Sequence, residues 1–404
     1  MASARHVIVA GAGIAGLTAA LALARAGLRV SVLEQAARLE ETGAGIQLSP
    51  NATRVLIALG LRERLAPSVM VPQAIRVMAG GSGREIVRIP LGPDAERRYG
   101  APYWTTHRGD LQSALAAAAQ ATQDIELKLG TRVEDFATHL NGITVQARYD
   151  QRVVDERGLA LIGADGVWST LSAQLQGRRS PSFRHRTAWR TLVPSSAVPE
   201  EFREPLVHLW LGLDAHLVHY PMKAGRLINI VGIVHDEWKE IGWSAAGNRA
   251  EILRHFARWS WAEQARALIA IPDQWLKWAL YDRKAPFRGG VGPVTLIGDA
   301  AHPMLPFLAQ GAGMAIEDAA VLADILGKSL DDPCDALRAY EGARWHRTAR
   351  AQQMSRRQGR IYGLSGPEAL VRNLAMRAMG GEKLRARYDW LYDWQPPESF
   401  QNAS

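Results

Sequence analysis

The chain has 404 residues, 47% of them hydrophobic and 22% charged, with a formal net charge of +8 at pH 7, the balance of an ordinary globular protein long enough for two cores and a helical tail. Its basic residues are dispersed along the whole length and form no single arm or face, which argues against a nucleic-acid module and leaves small anions as the partners that such a field attracts. No segment approaches the roughly 20 uninterrupted apolar residues of a membrane span, and the lone Cys334 excludes an internal disulfide and suits a reducing compartment.

Residues 6–10 (HVIVA) read as a buried first strand that enters a glycine motif directly, without a cleavage site, so the chain is expected in the cytoplasm. Residues 14–26 follow as a helix stopped by Gly27, and 29–34 as a second strand, a βαβ opening. Between strand and helix stands Gly11-Ala12-Gly13-Ile14-Ala15-Gly16, whose glycines permit a tight turn and let the helix N-terminus face a pyrophosphate. Glu34 ends the second strand, where a carboxylate accepts hydrogen bonds from an adenosine ribose. The pattern indicates an adenine dinucleotide without separating FAD from NAD.

A helix is expected over 110–121, and a hairpin around Asn141-Gly142. A strand at 159–162 leads into Gly163-Ala164-Asp165-Gly166. After about residue 177 the character changes to short strands, at 207–211, 217–220 and 227–234, in a segment rich in tryptophan. An antiparallel sheet domain fits, with most of those rings filling its core. At 294–297 a strand returns to the first domain and delivers Gly298-Asp299-Ala300-Ala301-His302-Pro303; helices follow at 313–326 and about 337–360, with a helical tail over 367–394.

The third motif identifies the dinucleotide. Asp299 is placed to hold a ribityl or ribose hydroxyl, and Gln310-Gly311-Ala312-Gly313 starts a helix with free amides. A reduced isoalloxazine gathers negative charge at N1 and O2, which a helix N-terminus stabilises, whereas a nicotinamide has no such need. FAD is therefore the expected cofactor and no metal is expected. His302 reads as a structural hydrogen-bonding residue. The predicted fold is α/β: a discontinuous, doubly wound FAD-binding domain of residues 1–72, 104–177 and 283–332, an antiparallel-sheet substrate domain of 73–103 and 178–282, and a C-terminal helical segment of 333–404.

The motifs GAGIAG at 11–16, GAGIQLSPNA at 43–52, HRGDL at 107–111, GADGVWS at 163–169, GDAAHPMLP at 298–306 and AQGAGMAIEDA at 309–319 together resemble the FAD-dependent aromatic hydroxylases, nearest the salicylate, 3-hydroxybenzoate 6- and 6-hydroxynicotinate 3-hydroxylases. The resemblance spans nearly the whole chain. It implies that Gly11, Gly13, Ala15, Gly16, Glu34, Gln35, Gly45, Arg108, Val133, Asp165, Asp299, Gly311, Ala312 and Gly313 serve the cofactor, with Val133 meeting the adenine through its backbone. NADH or NADPH would bind transiently, since only one GxGxxG is present, and the reduced flavin would capture O2 as a C4a-hydroperoxide that hydroxylates a small aromatic substrate.

On a strand, His216, Val218 and Tyr220 share one face. The resembling hydroxylases carry a His and a Tyr at this spacing to hold and deprotonate a phenol, a task suited to a base near neutrality, so His216 and Tyr220 are the expected catalytic pair. Departures from the family pattern are Gln35, where an arginine often stands, Gly313 in place of asparagine, and the apolar Pro306 and Phe307 near the ring, which suggest a less polar substrate edge. The tail offers a contact for a homodimer. A hydroxylase of a quinone precursor or another aromatic compound, a non-oxygenating flavin redox protein and an NAD-dependent dehydrogenase are the competing functions.

Overall fold

A computed structural model describes residues 5–39, 44–177, 180–257 and 261–401; Gly43, at the head of the 43–52 motif, and Trp259 lie outside them. Strands β1 (His6–Ala10), β2 (Arg29–Glu34), β7 (Ile125–Leu129), β11 (Ala160–Gly163) and β18 (Val294–Leu296) form a sheet in the order β18-β11-β1-β2-β7, with every pairing parallel. Its strands are near-continuous apolar runs because both faces are covered, one by helices and the other mainly by a three-stranded antiparallel sheet. The Ile14–Arg25 helix packs against the Gly311–Lys328 helix on one of them. Leu17, Leu23, Ile316 and Leu322 are fully buried there, each burial contributing about 1.5–3 kcal/mol.

Strands β8 (Thr131–His139), β9 (Gly142–Tyr149) and β10 (Arg152–Gly158) make an antiparallel sheet, with the turn of its first hairpin at Leu140-Asn141, one residue earlier than expected, because Gly142 already pairs with His139. A two-stranded ribbon pairs β3 (Gly45–Leu48) with β6 (Trp104–His107).

The largest sheet runs β16 (Ser244–Asn248), β17 (Gln274–Asp282), β12 (Ser182–Pro194), β15 (Leu227–His235), β14 (Ala215–Met222), β13 (Leu206–Leu211), β4 (Ala74–Ala79), β5 (Glu85–Pro90). It is antiparallel except where β13 meets β4. Leu217 of β14 faces a core containing Trp189, Trp210, Trp261 and Trp275, whereas His216, Val218 and Tyr220 face the opposite way into a cleft. No described tryptophan lines that cleft, in keeping with rings that fill the core.

The Pro333–Tyr362 and Gly366–Ala386 helices close the far side of the cleft. The second is kinked at Gly380 (φ 71°, ψ 165°), and the chain there passes so near β5 that a Cβ on Gly381 would lie 1.9 Å from the Arg88 carbonyl oxygen. None of the described helices is long and apolar enough to cross a membrane. The mixed architecture of parallel sheet, antiparallel sheets and C-terminal helices is the expected one. The helix after the third motif begins at Gly311, two residues earlier than its apolar pattern suggests.

Candidate active site

The three glycine motifs leave the carboxyl ends of neighbouring parallel strands, β1, β11 and β18, the edge at which such sheets bind ligands. Gly11 has φ +106°, and a Cβ on it would come within 2.6 Å of the Ala164 carbonyl oxygen. A Cβ on Gly16 would meet the Gly11 oxygen at 1.9 Å. The first two turns therefore touch through backbone alone. Gly13, Ile14 and Ala15 border the cleft and no side chain caps their helix, which leaves its amides for an anion. Glu34 accepts from Ala12 N at 2.7 Å and Ala36 N at 2.8 Å, with acceptor capacity left over for hydroxyls.

The third turn is anchored from beneath. Asp318 accepts from Gly298 N at 3.0 Å, from Arg344 Nε at 2.7 Å and shares a 2.5 Å bond with His302 Nε2, so His302 has the structural role its position suggests. Burial alone would raise the Asp318 carboxyl, but the His302 and Arg344 charges and these bonds hold it down to about 2. A depressed carboxyl stabilises the fold above its unfolded value of about 3.9, and that contribution is lost as pH falls through its folded value. Acid titration followed by tryptophan fluorescence is thus expected to show stability declining between about pH 4 and 2. Asp318→Asn should flatten that decline and cost about 3–5 kcal/mol at neutral pH in urea unfolding.

The start of the Gly311–Lys328 helix is clamped by a buried amide. Gln310 Nε2 donates to Ser49 Oγ at 2.7 Å and Gln310 Oε1 accepts from Asn51 Nδ2 at 3.2 Å. Gly311 and Ala312 line the cleft, and the helix has no side-chain cap. Gly313 sits one step inward, where a Cβ would lie 2.8 Å from Gln310 Oε1. Asp299 is exposed to the cleft, and desolvation by the surrounding protein raises its carboxyl against the opposing charges of His302 and Arg108. Free amides at two helix starts, a carboxylate at each end and backbone-to-backbone glycine contacts fit an extended FAD.

The cleft encloses about 1030 Å³. Its walls are mainly apolar, with polar groups from the ribbon, the large sheet and the two C-terminal helices, the usual make-up of a small-molecule site. His216 packs at 5.4 Å from the Phe307 ring and 5.2 Å from the Tyr362 ring. Burial, aided by the Arg186 charge, pushes its imidazole down to about 3, so His216 is neutral at working pH and is not the near-neutral base that its spacing suggests. Burial raises the Tyr220 phenol. Pro306 and Phe307 line the same wall, and Gly359 makes room for Phe307, whose ring a Cβ there would approach to 2.5 Å.

Of the residues nominated from sequence, His216, Tyr220, Gly13, Ala15, Gly45, Arg108, Asp299, Gly311 and Ala312 border the cleft. The others lie outside its lining. Gly11 and Gly16 form the turn behind it, and Glu34 ends β2. Gln35 is exposed, and Val133 is buried on β8, opposite Ala147. Asp165 Oδ2 accepts from Thr170 N at 2.9 Å and caps the Thr170–Gln176 helix, leaving Oδ1 buried without a partner among the described residues.

Arg190, Gln47 and Tyr103 are among the further polar residues that line the cleft, and Arg357, Arg372 and Arg385 reach it from the C-terminal helices. Arg190 lies 4.5 Å over the Trp278 ring, and its Nε has no hydrogen-bond partner among the described residues. Burial lowers its guanidinium to about 10, with the Tyr220 phenol as the neighbour that opposes the shift, so it is still a cation at neutral pH. Nothing in the sequence separates it from the many other arginines.

A family profile described as FAD binding domain matches residues 4–358. The 3-hydroxybenzoate 6-hydroxylase of Polaromonas naphthalenivorans is 38% identical over 388 residues, 96% of each chain. The 6-hydroxynicotinate 3-monooxygenase of Bordetella bronchiseptica is 34% identical over 354 residues, 87% of this chain and 90% of that one. Among solved structures, a salicylate hydroxylase substrate complex matches with a TM-score of 0.81 at 26% identity, covering 99% of this chain and 98% of that one. Klebsiella pneumoniae HpxO complexed with FAD and uric acid matches with a TM-score of 0.84 at 25% identity, covering 98% of each chain.

Proposed function

The chain belongs to the FAD binding domain family, among its FAD-dependent aromatic hydroxylases, and from this we propose that it inserts one atom of O2 into the ring of a phenolic or heteroaromatic acid, consuming NAD(P)H. Relatives named for hydroxybenzoate and hydroxynicotinate give the substrate class. The observation that carries the acid is Arg190, a cation on the sheet wall of the cleft beside Tyr220, whose Nε lacks a hydrogen-bond partner among the described residues.

The turn at Gly11 to Gly16 and the Ile14–Arg25 helix start would hold the pyrophosphate, Glu34 the adenosine ribose, Asp299 and Arg108 the ribityl region, and Gly311 and Ala312 the flavin ring. Bound FAD supplies the redox chemistry, accepting a hydride from NAD(P)H and activating O2. Arg190 would seat the carboxylate. The phenolic oxygen would then donate to an imidazole nitrogen of His216 while accepting from Tyr220. As the proton moves to His216, the O–H bond breaks and phenolate forms beside the imidazolium. That adjacent anion raises the depressed His216 value, so the two protonation changes are coupled. Phe307 and Tyr362 would exclude water from this wall.

The domain division is part of the same proposal. The parallel sheet and its glycine turns would constitute the FAD domain, the large sheet the substrate domain and the residues after 332 a helical lid, in a cytoplasmic enzyme. The apolar edge made by Pro306 and Phe307 favours a less polar aromatic substrate as the second reading.

The test is NADH and NADPH oxidation by the purified holoenzyme with a panel of phenolic, heteroaromatic and non-acidic aromatic compounds, followed by product mass. One acid should stimulate oxidation and gain one oxygen. A flavin-loaded protein whose NAD(P)H oxidation no compound accelerates would overturn the hydroxylase assignment. Arg190→Met is expected to raise KM for the acid about 10–100-fold, the worth of a hydrogen bond to a charged group, with little change for a non-acidic phenol.

A further inference from the structure

The polar residues at the start of the Gly311–Lys328 helix form a closed ring of hydrogen bonds that runs in one direction. Ser49 Oγ donates to Asn51 Oδ1 at 2.5 Å, Asn51 Nδ2 to Gln310 Oε1 at 3.2 Å, and Gln310 Nε2 back to Ser49 Oγ at 2.7 Å. Glu317 sets that direction. Its carboxylate only accepts, and it takes an Asn51 Nδ2 proton at 2.6 Å, which turns the Asn51 oxygen toward Ser49 and so fixes the Gln310 amide. All four side chains are buried, and a reversed ring would leave polar groups unpaired.

Glu317 is held in its turn from the C-terminal segment. Arg347 Nε and Nη2 donate to its two oxygens at 2.6 and 2.7 Å. The same guanidinium donates to the Trp390 and Leu391 carbonyls at 2.7 and 2.9 Å, and its carbon lies 5.7 and 5.6 Å from the Trp390 and Trp394 ring centres. Arg344, 2.8 Å from Glu317, is shared with Asp318 at 2.7 Å, so Arg347 is the cation that answers Glu317. Gly311 and Glu317 lie in one helix, about 9 Å apart along its axis, and Glu317 is fully buried, where solvent screens its charge little.

We propose that Glu317 and Arg347 are positioning residues: the C-terminal segment aims the Arg347 charge at Glu317, and this pairing sets how readily the bound flavin is reduced. The inference rests on the reading that the Gly311 and Ala312 amides meet the flavin ring. Those amides favour negative charge on the reduced ring. An unanswered carboxylate behind them opposes that charge, and an unanswered guanidinium favours it further. Loss of Arg347 therefore makes the flavin harder to reduce, loss of the Glu317 charge makes it easier, and loss of both restores the wild-type value. A pair that only braces the fold gives no shifts of opposite sign.

Full-length holoenzymes carrying Arg347→Met, Glu317→Gln, both substitutions together, or Ala312→Asp are equilibrated anaerobically with a redox dye in the absence of substrate, with flavin content recorded for each. At a fixed dye potential the ratio of reduced to oxidised flavin should fall about 4–15-fold in Arg347→Met and rise by a similar factor in Glu317→Gln, the effect of one charge at roughly 10 Å. The double variant should stay within about twofold of wild type. Shifts of the same sign in the two single variants, or none beyond about twofold, overturn the inference. If one single variant loses its flavin, the sign in the other decides; if both do, the pair is structural and the inference fails. Ala312→Asp places a carboxylate at the helix start and should lower the ratio or expel the flavin. If it does neither, the reading of the helix start fails and the inference with it; if it does while the pair variants match wild type, only the role of the pair fails.

Discussion

Gly16→Ala is expected to yield a protein that purifies without FAD. The new methyl group would sit 1.9 Å from the Gly11 carbonyl oxygen and 3.3 Å from the Ala164 Cβ. The first of these neighbours is backbone, so no rotamer relieves the clash and the strand-to-helix turn must open. That turn sets the amides of Gly13 to Ala15 along the cleft, and a displacement there removes the anion site. An affinity loss of at least about 100-fold, close to 3 kcal/mol, should appear as a fall in the ratio of flavin to protein absorbance and a failure to reload from added FAD. Gly342→Ala is the matched control. It lies in the Pro333–Tyr362 helix with nothing within 4 Å of the added Cβ, so it should keep its colour and gain about 0.5–1 kcal/mol of stability. A yellow Gly16→Ala protein would overturn the close-contact account of the motif.

His216→Ala should retain flavin and lose hydroxylation. Removing a group that accepts a proton as the ring becomes nucleophilic costs about 10²–10⁴ in rate, and His216 meets the flavin-end scaffold only through ring packing on Phe307 among the described residues. The variant should show a characteristic pH response. Without an internal acceptor, phenolate must come from solution, so activity should climb as pH approaches the phenol's own value and the gap to wild type should narrow. Product formed per NADH consumed should also fall, because reduction continues while transfer to the ring slows. Wild-type turnover in the variant, or a deficit independent of pH, would remove His216 from proton transfer.

The parts of the site that were legible in sequence are those built from local backbone chemistry. Each glycine motif is a strand, a turn and usually a helix within about fifteen residues, and the need for glycine is visible in the run itself. Distant pairings left no comparable trace. Gln47 and Tyr103 are 56 residues apart and meet only because β3 pairs with β6, while Arg190 reaches the cleft through strand alternation that equally buries Trp189 on the other face. Environment was also hidden: the imidazole of His216 is recognisable by spacing, yet its depressed value comes from Phe307, Tyr362 and Arg186, which three different segments supply. Gln310 gave a partial signal, prominent within its motif. Its clamp on Ser49 and Asn51 needed the fold to be seen.

The order β18-β11-β1 has a consequence for how the enzyme is made. Its first glycine turn leaves the ribosome early, but the third follows β18, which begins at Val294. At about 5–20 residues per second the two are separated by roughly a quarter of a minute to a minute of synthesis. During that interval the nascent chain presents β1 and its turn with no third wall for the flavin end. Cofactor loading is therefore a late event, and chains stopped short of β18 would be colourless and would expose the apolar edge of β11, the species on which chaperones and proteases act.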